Sequence, residues 1–267
     1  MKIGIFDSGI GGLIILRAIK KKLPEYDYIY LGDTKRVPYG NRSQKAIFEF
    51  SCQAIDYLFK KNCALVIIAC NSASARALRK IQREWLPKHY PKRKVLGVIV
   101  PTVEEVVENK KIKNIGIIAT QATINSRTFN KEIFKRDRKA KVFSLATPLL
   151  VPLIENNGIK WVKEILADYI RPFKKYKIQA LLLGCTHYPI VKKQIRNLVG
   201  KKIKVISQDE IIPEKLKIYL KNHEEITKKL SKNKKVDILV TDMTEQIKFL
   251  AGKWFNKETV LKLIKLD

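Results

Sequence analysis

Short apolar runs of strand length alternate with amphipathic stretches along almost the whole chain. The candidate strands are Lys2–Phe6, Tyr28–Leu31, Leu65–Ala69, Val95–Ile99, Asn114–Ala119, Lys141–Leu145, Ala180–Leu183, Ile203–Ile206 and Asp237–Val240. Between most of them, apolar residues recur with a spacing near 3.6, as in Ser43–Lys60 and Ser72–Trp85. This alternation predicts an α/β architecture with mainly parallel sheets. So many strands suit two modest sheets better than one wide one. No low-complexity linker interrupts the chain, so the expectation is two domains in close contact around a cleft.

An internal echo supports two related halves. Leu65-Val66-Ile67-Ile68-Ala69-Cys70-Asn71-Ser72 matches Ala180-Leu181-Leu182-Leu183-Gly184-Cys185-Thr186-His187 in kind. Each is an apolar strand ending in a small residue, then a cysteine, then polar residues. Ile3-Gly4-Ile5-Phe6-Asp7-Ser8 pairs with Ile115-Gly116-Ile117-Ile118-Ala119-Thr120. Gly4 and Gly116 lie 112 positions apart, and Cys70 and Cys185 lie 115 apart. Each half therefore offers one cysteine in a matching context.

Composition excludes several alternatives. Hydrophobic residues make up 46% of the 267, too many for a disordered chain. No apolar run approaches the roughly 18 residues of a membrane span. The N-terminus reaches Asp7 too soon for a signal peptide, so a cytoplasmic protein with no membrane partner is expected. The four cysteines show no CxxC pairing, which argues against a disulfide scaffold and a structural zinc site. Lys and Arg number 54 against 25 Asp and Glu, a formal net charge of +29. The lysines are scattered in short runs such as Lys20-Lys21-Lys22, and no nucleic-acid-binding motif accompanies them. A solvated basic surface is the simpler reading, and it could steer small anions.

In open α/β sheets ligands bind at the carboxyl ends of the strands. Asp7-Ser8-Gly9, Cys70-Asn71-Ser72, Thr120 with Thr123, and Cys185-Thr186-His187 all sit there. Cap-type Asn71 and Ser72, and Pro189, place both cysteines at helix N-termini, where a thiol pKa would be lowered. A buried structural cysteine is the bland alternative for either one alone; the paired context favours function. Cys52 and Cys63 lack such flanks and read as core or helix-surface residues. Asp7-Ser8-Gly9-Ile10-Gly11-Gly12 is a glycine-rich turn suited to a carboxylate. It is neither a dinucleotide fingerprint nor a P-loop. Pro38-Tyr39-Gly40 reads as a rigid turn that can wall a cleft. His187, two residues after Cys185, can polarise nearby groups. Glu155 taken alone reads as a surface residue.

Two opposed thiols and no cofactor motif suggest one reaction in particular. A thiolate on one face removes a proton from carbon and a thiol on the other returns one, inverting the stereocentre. A Cys–His hydrolase using Cys185 and His187 leaves Cys70 unexplained.

At these residues the chain resembles the glutamate racemases of the cofactor-independent aspartate/glutamate racemase superfamily. The matching segments are Gly4 to Leu13, Leu31-Gly32-Asp33-Thr34 through Pro38-Tyr39-Gly40, Ala69 to Ala73, Gly97 to Pro101, Ile115 to Thr123, Pro148 to Glu155, and Leu183-Gly184-Cys185-Thr186-His187-Tyr188-Pro189. The tail from Thr241 to Phe255 is also similar. The resemblance implies two pseudo-symmetric flavodoxin-like, doubly wound domains with the active site in the cleft between them. Residues 1–98 with 208–267 would form the domain carrying Cys70, and residues 99–207 the domain carrying Cys185. It implies interconversion of L- and D-glutamate for peptidoglycan, with no cofactor, no metal and no nucleic-acid partner, in a homo-oligomer, a dimer. Cys70 would deprotonate D-glutamate and Cys185 L-glutamate, assisted by Asp7, Glu155 and His187. Asp7, Ser8, Tyr39, Gly40, Asn71, Ser72, Thr120, Thr123, Thr186 and His187 would hold the substrate. The chain departs from the family pattern at Ser72, where threonine is usual, and at Thr147, where cysteine is common. The rival readings are an aspartate racemase or related isomerase of the superfamily, and a basic nucleic-acid-binding protein on the same fold.

Overall fold

The computed structural model describes residues 1–266. Among the described residues, ten strands form two sheets in which every pairing is parallel. The strands are β1 (Lys2–Asp7), β2 (Tyr28–Gly32), β3 (Cys63–Ile68), β4 (Lys94–Gly97), β5 (Asn114–Ala119), β6 (Lys141–Ala146), β7 (Ala180–Gly184), β8 (Lys204–Ile206), β9 (Val236–Val240) and β10 (Leu261–Leu263). The first sheet has the order β10-β9-β2-β1-β3-β4 and the second β6-β5-β7-β8. The segments β2-β1-β3-β4 and β6-β5-β7-β8 share one topology, so the sequence echo between the halves is an echo of fold.

The central strands are buried along nearly their whole length, as β3 and β7 are at every residue. Strands covered by helices on both faces read as unbroken apolar runs, which is why these were legible. One buried apolar cluster runs from Ile3, Ile5 and Leu16 in the first half to Leu183, Val191 and Ile195 in the second. The two halves therefore share a core. The helix Gln208–Asn222 lies in the same cluster through Ile212, Leu216 and Leu220.

Several boundaries differ from expectation. The strand expected at Val95–Ile99 ends at Gly97, and Ile99 opens the helix Ile99–Val107. Pro101 falls in that first turn, where a missing N–H costs nothing. β3 begins at Cys63, two residues early, because Cys63 pairs with Lys2 of β1. The pattern Ser72–Trp85 is not one regular helix. It divides into Asn71–Arg76, Leu78–Lys80 and a π-helical turn Ile81–Trp85, and continues through Leu86–His89. Ser43–Lys60 is borne out as Gln44–Lys60, with Ser43 as the N-cap accepting from the Ala46 amide at 3.2 Å. β10 was not anticipated: it has three residues on a sheet edge, and Leu263 is largely exposed.

Candidate active site

The order of each sheet reverses at one point, between β1 and β3 in the first and between β5 and β7 in the second. Ligands in open α/β sheets bind outside such reversals. Here the two reversals face one cavity of about 280 Å³. Ser8 and Gly9 follow β1, Cys70, Asn71 and Ser72 follow β3, Thr120 follows β5, and Cys185, Thr186 and His187 follow β7; all line it. Tyr39, Gly40 and Glu155 complete the set of expected residues on its wall.

Two expected residues lie behind the wall. Asp7 is almost wholly buried beneath it, its Oδ2 accepting from the Gly9 amide at 3.0 Å. Its Oδ1 has no hydrogen-bond partner. Burial raises the Asp7 pKa, although the charge of His187 opposes this. Thr123 is buried and reaches the cavity only through Thr120, 3.0 Å away. Thr120 Oγ1 in turn lies 2.9 Å from Ser72 Oγ, so a line of three hydroxyls crosses from one half to the other. Asn71 lines the cavity, but its amide forms a reciprocal pair with Gln208, each bond 2.8 Å.

The cysteines differ in their surroundings. Cys70 is the N-cap of Asn71–Arg76, as expected, and its thiol donates to Ser8 Oγ at 3.3 Å. The lowered pKa expected there does not hold. Burial, and next the charge of Asp7, push the Cys70 thiol up to about 12, overriding the Ser8 hydroxyl and the Ala73 amide. Cys185 is not a helix N-cap. A short 3₁₀ turn, Tyr188–Val191, starts after His187, and the α-helix begins only at Lys192. Pro189 fits that turn instead.

What Cys185 has is a relay. Its Sγ lies 3.6 Å from His187 Nδ1, and His187 Nε2 lies 2.7 Å from Glu155 Oε1. Burial disfavours the imidazolium, but hydrogen bonds to Cys185 and Glu155 outweigh it and raise the His187 pKa to about 10. The charge of Cys185 also raises the Cys70 pKa, so the two thiols influence each other across the cavity. Glu155, bland in the sequence, is thus tied to the site from the last turn of a separate helix, Leu150–Glu155.

Close approach between the halves accounts for two glycines. A Cβ at Gly11 would sit 2.5 Å from His187 Cε1 and 2.6 Å from Thr186 Oγ1. At Gly40 it would meet Thr120 Cβ at 3.3 Å. Sequence reasoning missed the apolar wall of Val37, Pro148, Val151 and Pro152, and also Thr147. Thr147 is buried, with its hydroxyl against that of Tyr188. Cys63 is buried in β3 and Cys52 lies on Gln44–Lys60, away from the cavity as expected. Among the described residues, no three His, Cys, Asp or Glu side chains gather as a metal site would require. Nor is any helix long and apolar enough to cross a membrane.

A family model of Asp/Glu/hydantoin racemases matches residues 14–211. A glutamate racemase of Aquifex aeolicus is 44% identical over 224 residues, covering 83% of this chain and 84% of the relative. The crystal structure of glutamate racemase from Francisella tularensis in complex with D-glutamate superposes with a TM-score of 0.89 at 33% identity, covering 100% of this chain and 98% of that one. That of the isoform RacE1 from Bacillus anthracis gives 0.90 at 29% identity, covering 99% and 97%.

Proposed function

The chain belongs to the Asp/Glu/hydantoin racemase family, and we propose that it interconverts L- and D-glutamate through the two thiols of its cleft. One observation carries this reading. Cys70 and Cys185 follow equivalent strands of the four-strand order that the two sheets share, and both line one cavity. Stereochemical inversion at one carbon requires like groups on opposite walls, and the twofold likeness of the halves supports such a placement.

With D-glutamate bound, the Cys70 thiolate takes the Cα proton and the Cys185 thiol delivers its own to the opposite face. The product is L-glutamate, with Cys70 now a thiol and Cys185 a thiolate; the return reaction reverses each transfer. The mutual influence of the thiols supports this division, since a charge on one disfavours a charge on the other. The substrate ammonium favours a thiolate beside it. Asp7 acts on the Cys70 side, and the Glu155–His187 pair acts on the Cys185 side. Ser8, Tyr39, Gly40, Asn71, Ser72, Thr120 and Thr186 hold the carboxylates and ammonium, with Thr123 acting through Thr120.

Residues 1–98 with 208–267 make one domain and residues 99–207 the other, a division that keeps each sheet's strands together. The protein works in the cytoplasm as a dimer and supplies D-glutamate for peptidoglycan. The test is loss of circular dichroism of L-glutamate, with L-aspartate in parallel and no added cofactor. Decay of the glutamate signal and a flat aspartate signal are expected. Faster decay with aspartate would reassign the substrate, and no decay with either would end the racemase reading.

A further inference from the structure

The helix Glu245–Trp254 follows β9 of the first sheet, yet its contacts reach the proton relay attached to the second. Its start is fixed by Thr244, whose hydroxyl accepts from the Ile247 amide at 3.2 Å. Near that start, the exposed Gln246 donates from Nε2 to the backbone carbonyl of Glu155. At its far end Trp254, 4% exposed, meets the His187 ring edge to face, with centroids 5.3 Å apart and planes at 88°. Eight residues of helix separate the two contacts, about 12 Å along the axis. One rigid element thus touches both members of the Glu155–His187 pair, and does so from across the cleft.

We propose that Trp254 and Gln246 are positioning residues for the Cys185 side of the reaction. Trp254 fixes the plane of the His187 ring so that Nδ1 faces Cys185 while Nε2 faces Glu155. Gln246 anchors the C-terminal end of the helix Leu150–Glu155, which presents the Glu155 carboxylate. An imidazole has one rotation that satisfies both partners, and a perpendicular aromatic face selects it. Cys70 is held from within its own half, its thiol donating to Ser8 Oγ at 3.3 Å. The consequence is asymmetric: loosening the helix impairs proton delivery by Cys185 and spares proton removal by Cys70.

The inference rests on the racemase reading, and the experiment separates the two. D-Glutamate is incubated in D2O with wild-type protein, Trp254→Leu, Trp254→Phe and Gln246→Ala. The readout is the ratio of L-glutamate formed to deuterium returned into D-glutamate. A carbanion that is slow to be protonated by Cys185 lives long enough for the Cys70 thiol to exchange the proton it removed for solvent deuterium and return that deuterium to the same face. Trp254→Leu should lower the ratio about tenfold, and Trp254→Phe, which keeps an aromatic face, should restore it to within about twofold. Gln246→Ala, an exposed change that leaves the core intact, should lower it several-fold. Unchanged ratios in folded Leu and Ala variants overturn the proposal, even if overall rates fall. If Trp254→Leu does not fold, Gln246→Ala decides alone. A wild type that neither racemises nor labels glutamate sinks the racemase reading, and the positioning role falls with it.

Discussion

Replacing Gly11 by alanine puts one methyl group where the two halves approach closely. The added Cβ would lie 2.5 Å from His187 Cε1, and 2.6 Å from both His187 Nδ1 and Thr186 Oγ1. Carbon atoms rest at about 3.5–4.0 Å, so the imidazole must retreat by about 1 Å. It has nowhere neutral to go. Nε2 is held 2.7 Å from Glu155, Nδ1 is 3.6 Å from Cys185, and Trp254 lies against the ring. A displacement of that size at a reacting group costs about a hundredfold in rate. The overpacking itself costs about 1–3 kcal/mol, which leaves the chain folded. Racemisation of each glutamate enantiomer, followed by circular dichroism, should therefore fall about a hundredfold while the thermal melt stays cooperative. A folded Gly11→Ala protein within about twofold of wild type would refute the claim that His187 is pinned and needed where it stands.

Other expectations follow from the same geometry. His187 has a pKa raised to about 10 from its ordinary 6.5. The stability it contributes is full below pH 6.5 and is lost as the pH rises through about 10. Nitrogen-15 NMR of the ligand-free protein should find its ring protonated at pH 8, and Glu155→Gln should move its titration downward; a neutral ring at pH 8 contradicts this. Cys70, pushed up to about 12, should be alkylated by iodoacetamide at pH 7.5 at least about tenfold more slowly than an ordinary thiol, as read by mass spectrometry of its peptide. Equal rates would mean that the thiol is not raised. Burial works against the Asp27 carboxylate, yet Ser231, Lys235 and Asn233 hold it at about 2. Its contribution is present above pH 3.8 and is lost as the pH falls toward 2. Asp27→Asn disturbs bonds of 2.7–3.0 Å from Asn233 and Lys235 and should cost about 2 kcal/mol, lowering Tm by several degrees. An unchanged melt would show that these bonds add nothing.

The strands were legible because burial on both faces leaves a continuous apolar run, as in Leu65–Ile68 and Ala180–Leu183. The site was legible where the chain repeats itself, since Cys70 and Cys185 end equivalent strands and polar residues follow each. What a local reading of the residues could not supply depends on tertiary approach, within one half or across the cleft. Glu155 lies 32 residues before His187, and only the folded chain brings them to 2.7 Å. Trp254 and Gln246 carry no local mark of their contacts with His187 and Glu155. The lowered thiol pKa expected for Cys70 failed for a related reason. Local sequence supplies a helix N-terminus, but the burial and the Asp7 charge that outweigh it come from tertiary packing. The end of β4 was misplaced because Val98 and Ile99 are as apolar in the helix as they would be in a strand.

The central claim is that Cys70 and Cys185 act on opposite faces of one carbon. Its most direct test is proton NMR of each glutamate enantiomer in D2O with wild-type protein, Cys70→Ser and Cys185→Ser. In the wild type, deuterium should enter the Cα position of the product first, from either starting enantiomer. Each serine variant should stay folded and lose net racemisation in both directions. A serine variant that still racemises at a rate near wild type would show that one thiol suffices, and would contradict the two-thiol account.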